Sequence, residues 1–370
     1  MPDRLLLRDL AGPVSTILVE GGLIARFGVG RDAAADQVID GGGLTALPGF
    51  IELQVNGIGE HDFTSDPTSI ARAGPLLARH GVTSFLATIV TSPRGTVEAA
   101  LDALASASSF GGAIPLGLHV EGPFISPMRH GAHDPELLRA PELAELRTWT
   151  ARGIRIVTLA PELPGGLEAV RLVADAGAVA AIGHTNADAE TARGAVDAGA
   201  RYATHLFNAM RPMAHRDPGA AGALLADERV TVGLIADGRH VDPTMLAVAG
   251  RAAAGRFSIV SDAVSSTLGH RALDRALDRA DGDARLPDGT LAGGSFGLDH
   301  GVRTMAGLVG VDAAVEAVTG TPARLLGLED GRGAVREGGR ADLVLVTPDL
   351  EVALTIVGGR IVHRAEVAAG

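Results

Sequence analysis

The chain has 370 residues, a formal net charge of −12, 46% hydrophobic and only 3% aromatic residues, and 50 glycines. That length fits one large core with a satellite domain, and the acidic balance with scattered arginines excludes an electrostatic footprint for nucleic acid. Cysteine and lysine are both absent, which excludes disulfides, thiolate nucleophiles and Cys-ligated or carbamylated-lysine metal sites and leaves His and carboxylates as the strong ligands.

Taken in chain order, residues 4–46 read as short strands with turns at Gly21-Gly22 and Gly41-Gly42-Gly43. Eight apolar runs follow: Phe50 to Asn56, Val82 to Val90, Pro115 to Glu121, Ile154 to Ala160, Ala178 to His184, Arg201 to His205, Val230 to Asp237 and Phe257 to Asp262. Helical stretches separate them at Pro67 to His80, Thr96 to Ala107, Pro135 to Ala151, Leu167 to Ala176, Asp188 to Gly199 and Pro243 to Ala254. Alternating strand and helix implies a parallel sheet covered on both faces, and eight units fit a closed barrel better than an open doubly wound sheet. No GxGxxG follows the first run. Residues 333–363 return to short strands, including the hairpin-like Ile356 to Val362. The expected fold is α/β: a (β/α)8 TIM-type barrel over 48–330, with a small β-sandwich formed from both termini, 1–47 and 331–370. Met1 to Leu10 carries Asp3, Arg4, Arg8 and Asp9, and no apolar stretch approaches a membrane span. A cytoplasmic enzyme with no membrane partner is the expectation.

In such a barrel the catalytic groups project from the C-terminal ends of the strands. The third run ends His119-Val120-Glu121, the fifth Gly183-His184, the sixth Thr204-His205 and the eighth Ser261-Asp262. A strand-end histidine alone is as readily a hydrogen-bonded structural residue. Glu121, His184 and His205 together make a three-ligand site with a fourth position free for water, the arrangement of a catalytic zinc site. Zn²⁺ is the first candidate for the single divalent ion, with Fe²⁺, Co²⁺ or Mn²⁺ as alternatives. Asp262 reads as the acid/base beside the metal, against the alternative of a helix N-cap. Many metallohydrolases of this fold place a His-x-His pair on the first strand; here Gln54 and Asn56 stand there, and neutral amides are poor ligands. One metal and a vacant second position are expected. The loop residues His133, Arg216 and His240 are candidate substrate contacts; His61, His80, His130, His215, His270, His300 and His363 are assigned to structure or surface.

These residues sit in recognisable strings: Pro48-Gly49-Phe50-Ile51-Glu52 with Asn56-Gly57, His119 to Phe124, Gly131-Ala132-His133, Val157 to Glu162, Gly183 to Ala187, Thr204 to Met210, Ala236 to Val241 and Ser261-Asp262-Ala263. In order, from about residue 40 to 365, they resemble the N-acetylglucosamine-6-phosphate deacetylase family of the amidohydrolase superfamily. The resemblance implies hydrolysis of the acetamido group of N-acetylglucosamine 6-phosphate to glucosamine 6-phosphate and acetate. It makes Glu121, His184 and His205 the metal ligands, Asp262 the acid/base and His133 the group that polarises the acetyl carbonyl. It assigns Asn208, the Ala209 backbone, Arg216 and His240 to the sugar phosphate, in some members across the interface of a homodimer. Residues 265–287, with two Ala-Leu-Asp-Arg copies, depart from the family's glycine-rich lid, and Asp288 to Ser295 returns to the family pattern. Two rivals remain: a deacetylase for N-acetylgalactosamine 6-phosphate or an unphosphorylated N-acetyl sugar, and a barrel that has lost catalysis and serves as a binding subunit. Intact ligand residues beside Asp262 argue against the second.

Overall fold

The computed structural model describes residues 4–107, 109–265, 271–272, 275–276 and 284–366. Eight parallel strands form one sheet in sequential order: β1 (Phe50–Val55), β2 (Val82–Val90), β3 (Ile114–Glu121), β4 (Ile154–Leu159), β5 (Val179–Ile182), β6 (Tyr202–Ala203), β7 (Thr231–Ile235) and β8 (Phe257–Val260). Each corresponds to one apolar run, and the strands are buried because helices cover the outside while side chains fill the inside. Ile51, Leu53, Leu86, Ile156, Ala181, Tyr202, Ile235 and Val260 make the interior cluster. Tyr202 dominates it, and Gly233 on the neighbouring strand leaves it room: a Cβ there would lie 2.2 Å from the Tyr202 hydroxyl.

Strands β5, β6 and β8 end before their apolar runs do. His184, His205 and Asp262 adopt positive φ, 48°, 27° and 47°, so the backbone leaves the extended form just before each of them. Such conformations cost on the order of 1–3 kcal/mol each and gather where a side chain must be re-aimed.

Between β1 and β8 the barrel closes without a regular ladder. At the mouth the Asp262 N–H donates to the Gln54 carbonyl at 3.0 Å and the Asn56 N–H to Ala263 at 2.8 Å. At the far end a turn is wedged in instead: Ile51 N–H donates to Val318 at 2.7 Å and Ile259 N–H to Ala317 at 3.2 Å. In the gap between them sits the Glu52 carboxyl, accepting the N–H groups of Ser261 and Gln54, each at 3.1 Å.

The helices Ile70–Ala78, Thr96–Ser106, Leu143–Ala151, Gly166–Asp175, Ala189–Asp197 and Pro243–Ala252 occupy the stretches read as helical. Four more were not anticipated: Gly219–Ala226, Leu298–Val309, Val311–Glu316 and Gly320–Leu325. The first of these, GAAGALLA, is apolar on nearly every side and largely buried, so it carries no amphipathic period to betray it.

The termini build two four-stranded sheets. One runs Leu23–Phe27, Ile17–Glu20, Arg4–Arg8, Gln37–Asp40; the other runs Arg360–Arg364, Val352–Val357, Leu343–Val346, Thr45–Pro48. Leu5, Leu7, Ile17, Val19 and Ile24 from the first pack with Leu343, Leu345, Leu354 and Ile356 from the second in one core. The chain is thus a (β/α)8 barrel with a terminal β domain drawn from both ends. Most of the unusual segment 265–287, His270 included, lies outside the described residues. Among the described residues, no helix is long and apolar enough to cross a membrane.

Candidate active site

Glu121 at the end of β3, His184 just past β5 and His205 just past β6 meet at the barrel mouth, all buried. Glu121 Oε1 lies 3.1 Å from His184 Nε2 and 2.8 Å from His205 Nε2, and the two Nε2 atoms are 3.1 Å apart. His184 Nδ1 faces the Arg129 carbonyl at 3.0 Å. A carbonyl only accepts, so Nδ1 carries a proton, and Nε2 is the nitrogen turned to the triangle. Burial alone would raise the Glu121 pKa, but hydrogen bonds to His184 and His205 outweigh it and hold the carboxylate well below its ordinary range. An ionised carboxylate and two imidazole nitrogens, with ligand atoms within 4.8 Å of one another, form a donor set that fits a divalent cation.

Asp262 stands across the mouth. Its Oδ1 accepts Gln54 Nε2–H at 3.0 Å and Asn56 Nδ2–H at 2.8 Å, while Gln54 Nε2 also reaches both Glu121 oxygens at 3.3 Å. Burial raises the Asp262 pKa, the Glu121 charge adds to that, and the Asn56 hydrogen bond opposes both. The two first-strand amides are therefore bonded directly to the carboxylates. Their oxygens, Gln54 Oε1 and Asn56 Oδ1, are buried without hydrogen-bond partners among the described residues.

His133 arrives on the loop after β3, its ring centroid 4.4 Å from that of His184. Burial pushes its pKa down to about 3, so the ring is neutral. Its Nδ1 faces the Thr91 hydroxyl at 2.7 Å and the Thr91 N–H at 3.4 Å. With two donors facing Nδ1, the proton belongs on Nε2, which lies 4.0 Å from Glu121 Oε2. His133 thus offers an N–H beside the ligand triangle.

These groups line one cavity of about 260 Å³, which also takes in Asn56, Asn208, Ala209 and His240. Asn208 is held by its Nδ2–H to the His205 carbonyl at 3.1 Å. Asp237 accepts from His240 Nδ1 at 2.7 Å and so sets that ring's orientation. Arg216 is exposed and does not line the cavity. His119, two residues before Glu121 on β3, is buried between the Leu53 carbonyl at 3.0 Å and the Thr158 hydroxyl at 2.7 Å.

Several residues at the mouth escaped the sequence reading. Thr91 directly follows β2, and the rule applied to the other strand ends would have found it. Asp237 stands three residues before His240, a spacing that could have flagged the pair. Thr290 to Gly293 close the cavity wall; the Gly294 N–H donates to the Asp262 carbonyl at 2.7 Å, and a Cβ on Gly294 would meet the Ser261 carbonyl oxygen at 2.1 Å. Only glycine permits that approach.

Residues 45–362 match the Amidohydrolase family. The N-acetylglucosamine-6-phosphate deacetylase of Bos taurus is 38% identical over 356 residues, covering 90% of this chain and 87% of that one. An N-acetylgalactosamine-6-phosphate deacetylase of Escherichia coli O157:H7 is 35% identical, covering 85% and 86%. A solved structure of a mutant N-acetyl-D-glucosamine-6-phosphate deacetylase from Mycobacterium smegmatis, in complex with N-acetyl-D-glucosamine-6-phosphate, superposes with a TM-score of 0.87 at 32% identity, covering 98% of this chain and 99% of that one. The chain therefore belongs to the amidohydrolase family and, within it, to the N-acetylglucosamine-6-phosphate deacetylases.

Proposed function

We propose that this chain hydrolyses N-acetylglucosamine 6-phosphate to glucosamine 6-phosphate and acetate. The observation that carries the reading is the juxtaposition, in one cavity, of a Glu/His/His ligand set with a carboxyl group of raised pKa, Asp262. Glu121, His184 and His205 would hold one divalent ion, Zn²⁺ ahead of Fe²⁺, Co²⁺ or Mn²⁺. Such an ion supplies Lewis-acid polarisation of a carbonyl and acidifies water.

The remaining chemistry belongs to the chain. Two amide donors occupy Asp262 Oδ1, which leaves Oδ2 to take a proton from the attacking water and return it to the amine nitrogen. That return is essential, because an amide anion is too basic to leave unprotonated. The Nε2–H of His133 donates to the oxygen that gains charge as the carbonyl carbon becomes tetrahedral. Asn208, the Ala209 backbone and His240 line the part of the cavity given to the sugar phosphate. Arg216, exposed on its own chain, is assigned to the phosphate across a homodimer interface. A cytoplasmic location and domain limits of 1–47 with 331–370 against 48–330 complete the reading.

Metal analysis of the purified protein together with an acetate-release assay tests it. Turnover of N-acetylglucosamine 6-phosphate should exceed that of its galactosamine epimer and of the unphosphorylated sugar. Metal-loaded protein that releases no acetate from any of the three overturns the proposal.

A further inference from the structure

The string Val157 to Glu162 has no part in the mechanism above, yet its last residue reaches toward the metal site. Glu162, past the end of β4, accepts the Thr185 hydroxyl at 2.6 Å on Oε2 and the Asn186 N–H at 2.7 Å on Oε1. Both donors belong to the residues immediately after His184. The same Asn186 turns its side chain the other way, its Oδ1 accepting Arg129 Nε–H at 3.0 Å. A guanidinium has only donors, so the amide orientation is fixed. The Arg129 carbonyl in turn accepts His184 Nδ1–H at 3.0 Å, and Ser126 N–H donates to the His184 carbonyl at 2.9 Å. The hydrogen bonds close a ring: Glu162 to the Asn186 backbone, the Asn186 side chain to Arg129, the Arg129 carbonyl to the His184 imidazole.

We propose that Glu162, Asn186 and Arg129 are positioning residues that grip His184 from its backbone and its ring at once, fixing the tautomer and direction in which Nε2 faces the metal site. Three features give the ring work to do. His184 sits at φ 48°, a left-handed conformation directly before Thr185, whose hydroxyl Glu162 accepts. An imidazole ligates well only when its other nitrogen is held by an outer partner, here a loop carbonyl whose place depends on the Asn186 tether. And the segment carrying Arg129 runs on to His133, so the same ring places the ligand and the carbonyl-polarising imidazole relative to each other.

This inference rests on the reading of His184 as a metal ligand. The experiment is chelator competition for Zn²⁺ with the full-length protein, on the parent and on Glu162→Ala, Asn186→Ala and Glu162→Gln, alongside thermal unfolding of the metal-free forms. Glu162→Ala and Asn186→Ala should weaken Zn²⁺ binding by about 10- to 100-fold and lower kcat more than they raise KM. Glu162→Gln keeps an acceptor for the Asn186 N–H and should recover much of the loss. Asn186→Ala removes only the half-exposed side-chain link, so it separates positioning from folding should Glu162→Ala lower the metal-free Tm. A parent that binds no Zn²⁺ overturns the ligand assignment itself; a parent that binds it, with Asn186→Ala and Glu162→Ala binding equally tightly, overturns the positioning role alone.

Discussion

The barrel mouth has two halves that bury carboxylates alike and treat them in opposite ways. On the β3 to β6 side Glu121 faces two imidazoles, and its pKa falls against the pull of burial. On the seam side, where β1 meets β8, Asp262 faces Glu121 and two neutral amides, and its pKa rises. Burial is shared; the neighbours decide the sign. A carboxylate kept charged suits a cation ligand, and one brought nearer to protonation suits a proton carrier. On the proposed mechanism the first half fixes charge, and the second lets a proton come and go.

The largest effect should come from removing one member of each half. Glu121→Ala should strip the bound metal and cut deacetylation by at least about 10⁴-fold, read by metal content and acetate release on the same sample. Asp262→Asn should keep the metal and lower kcat by about 10²- to 10⁴-fold. An Asp262→Asn protein with near-normal turnover would dissolve the division of labour.

A smaller effect, on stability rather than rate, lies deeper in the seam. Burial, partly offset by hydrogen bonds from Ser261 and Gln54, raises the Glu52 pKa to about 8. Because the folded-state pKa lies above the unfolded one, its contribution is fully present below about pH 4.5 and is lost as pH rises toward about 8, on the order of a few kcal/mol in total. Glu52→Gln, neutral throughout, should flatten that slope. Urea unfolding at pH 5 and pH 8 measures it, and equal slopes in parent and variant would show that Glu52 ionises freely in the seam.

The contrast also explains how much was legible beforehand. The eight strands could be read because each is a continuous apolar run, and the residues Glu121, His184, His205 and Asp262 because chemistry collects at strand ends in a barrel. Glu52 reads as one more polar residue in an apolar strand, since its partners Ser261 and Gln54 become neighbours only when β8 returns to β1. Glu162 and Asn186 were visible as part of strings without a role, because their partner Arg129 lies on a loop that no periodicity locates. The helix Gly219–Ala226 has no polar face to reveal it. Arg216, given to the phosphate by the resemblance, stands outside the cavity of its own chain, so no strand-end rule could have placed it.

Gln54 offers the finest test, because it touches both halves. Its Nε2 donates to Asp262 at 3.0 Å and reaches Glu121 at 3.3 Å, and on Asp262 this bond favours the ionised form. Gln54→Leu removes the donor while keeping the bulk, so the Asp262 pKa should rise further. On the proposed role of Asp262 the proton-accepting form is the one active at the start of the cycle, so the acid limb of kcat/KM should move to higher pH by about one unit, the scale of one hydrogen bond to a charged group. Above that limb the rate should recover most of its parent value, since Asn56 still holds Oδ1 at 2.8 Å. A loss of rate equal at every pH would mean that Gln54 shapes the metal half and leaves the proton half untouched.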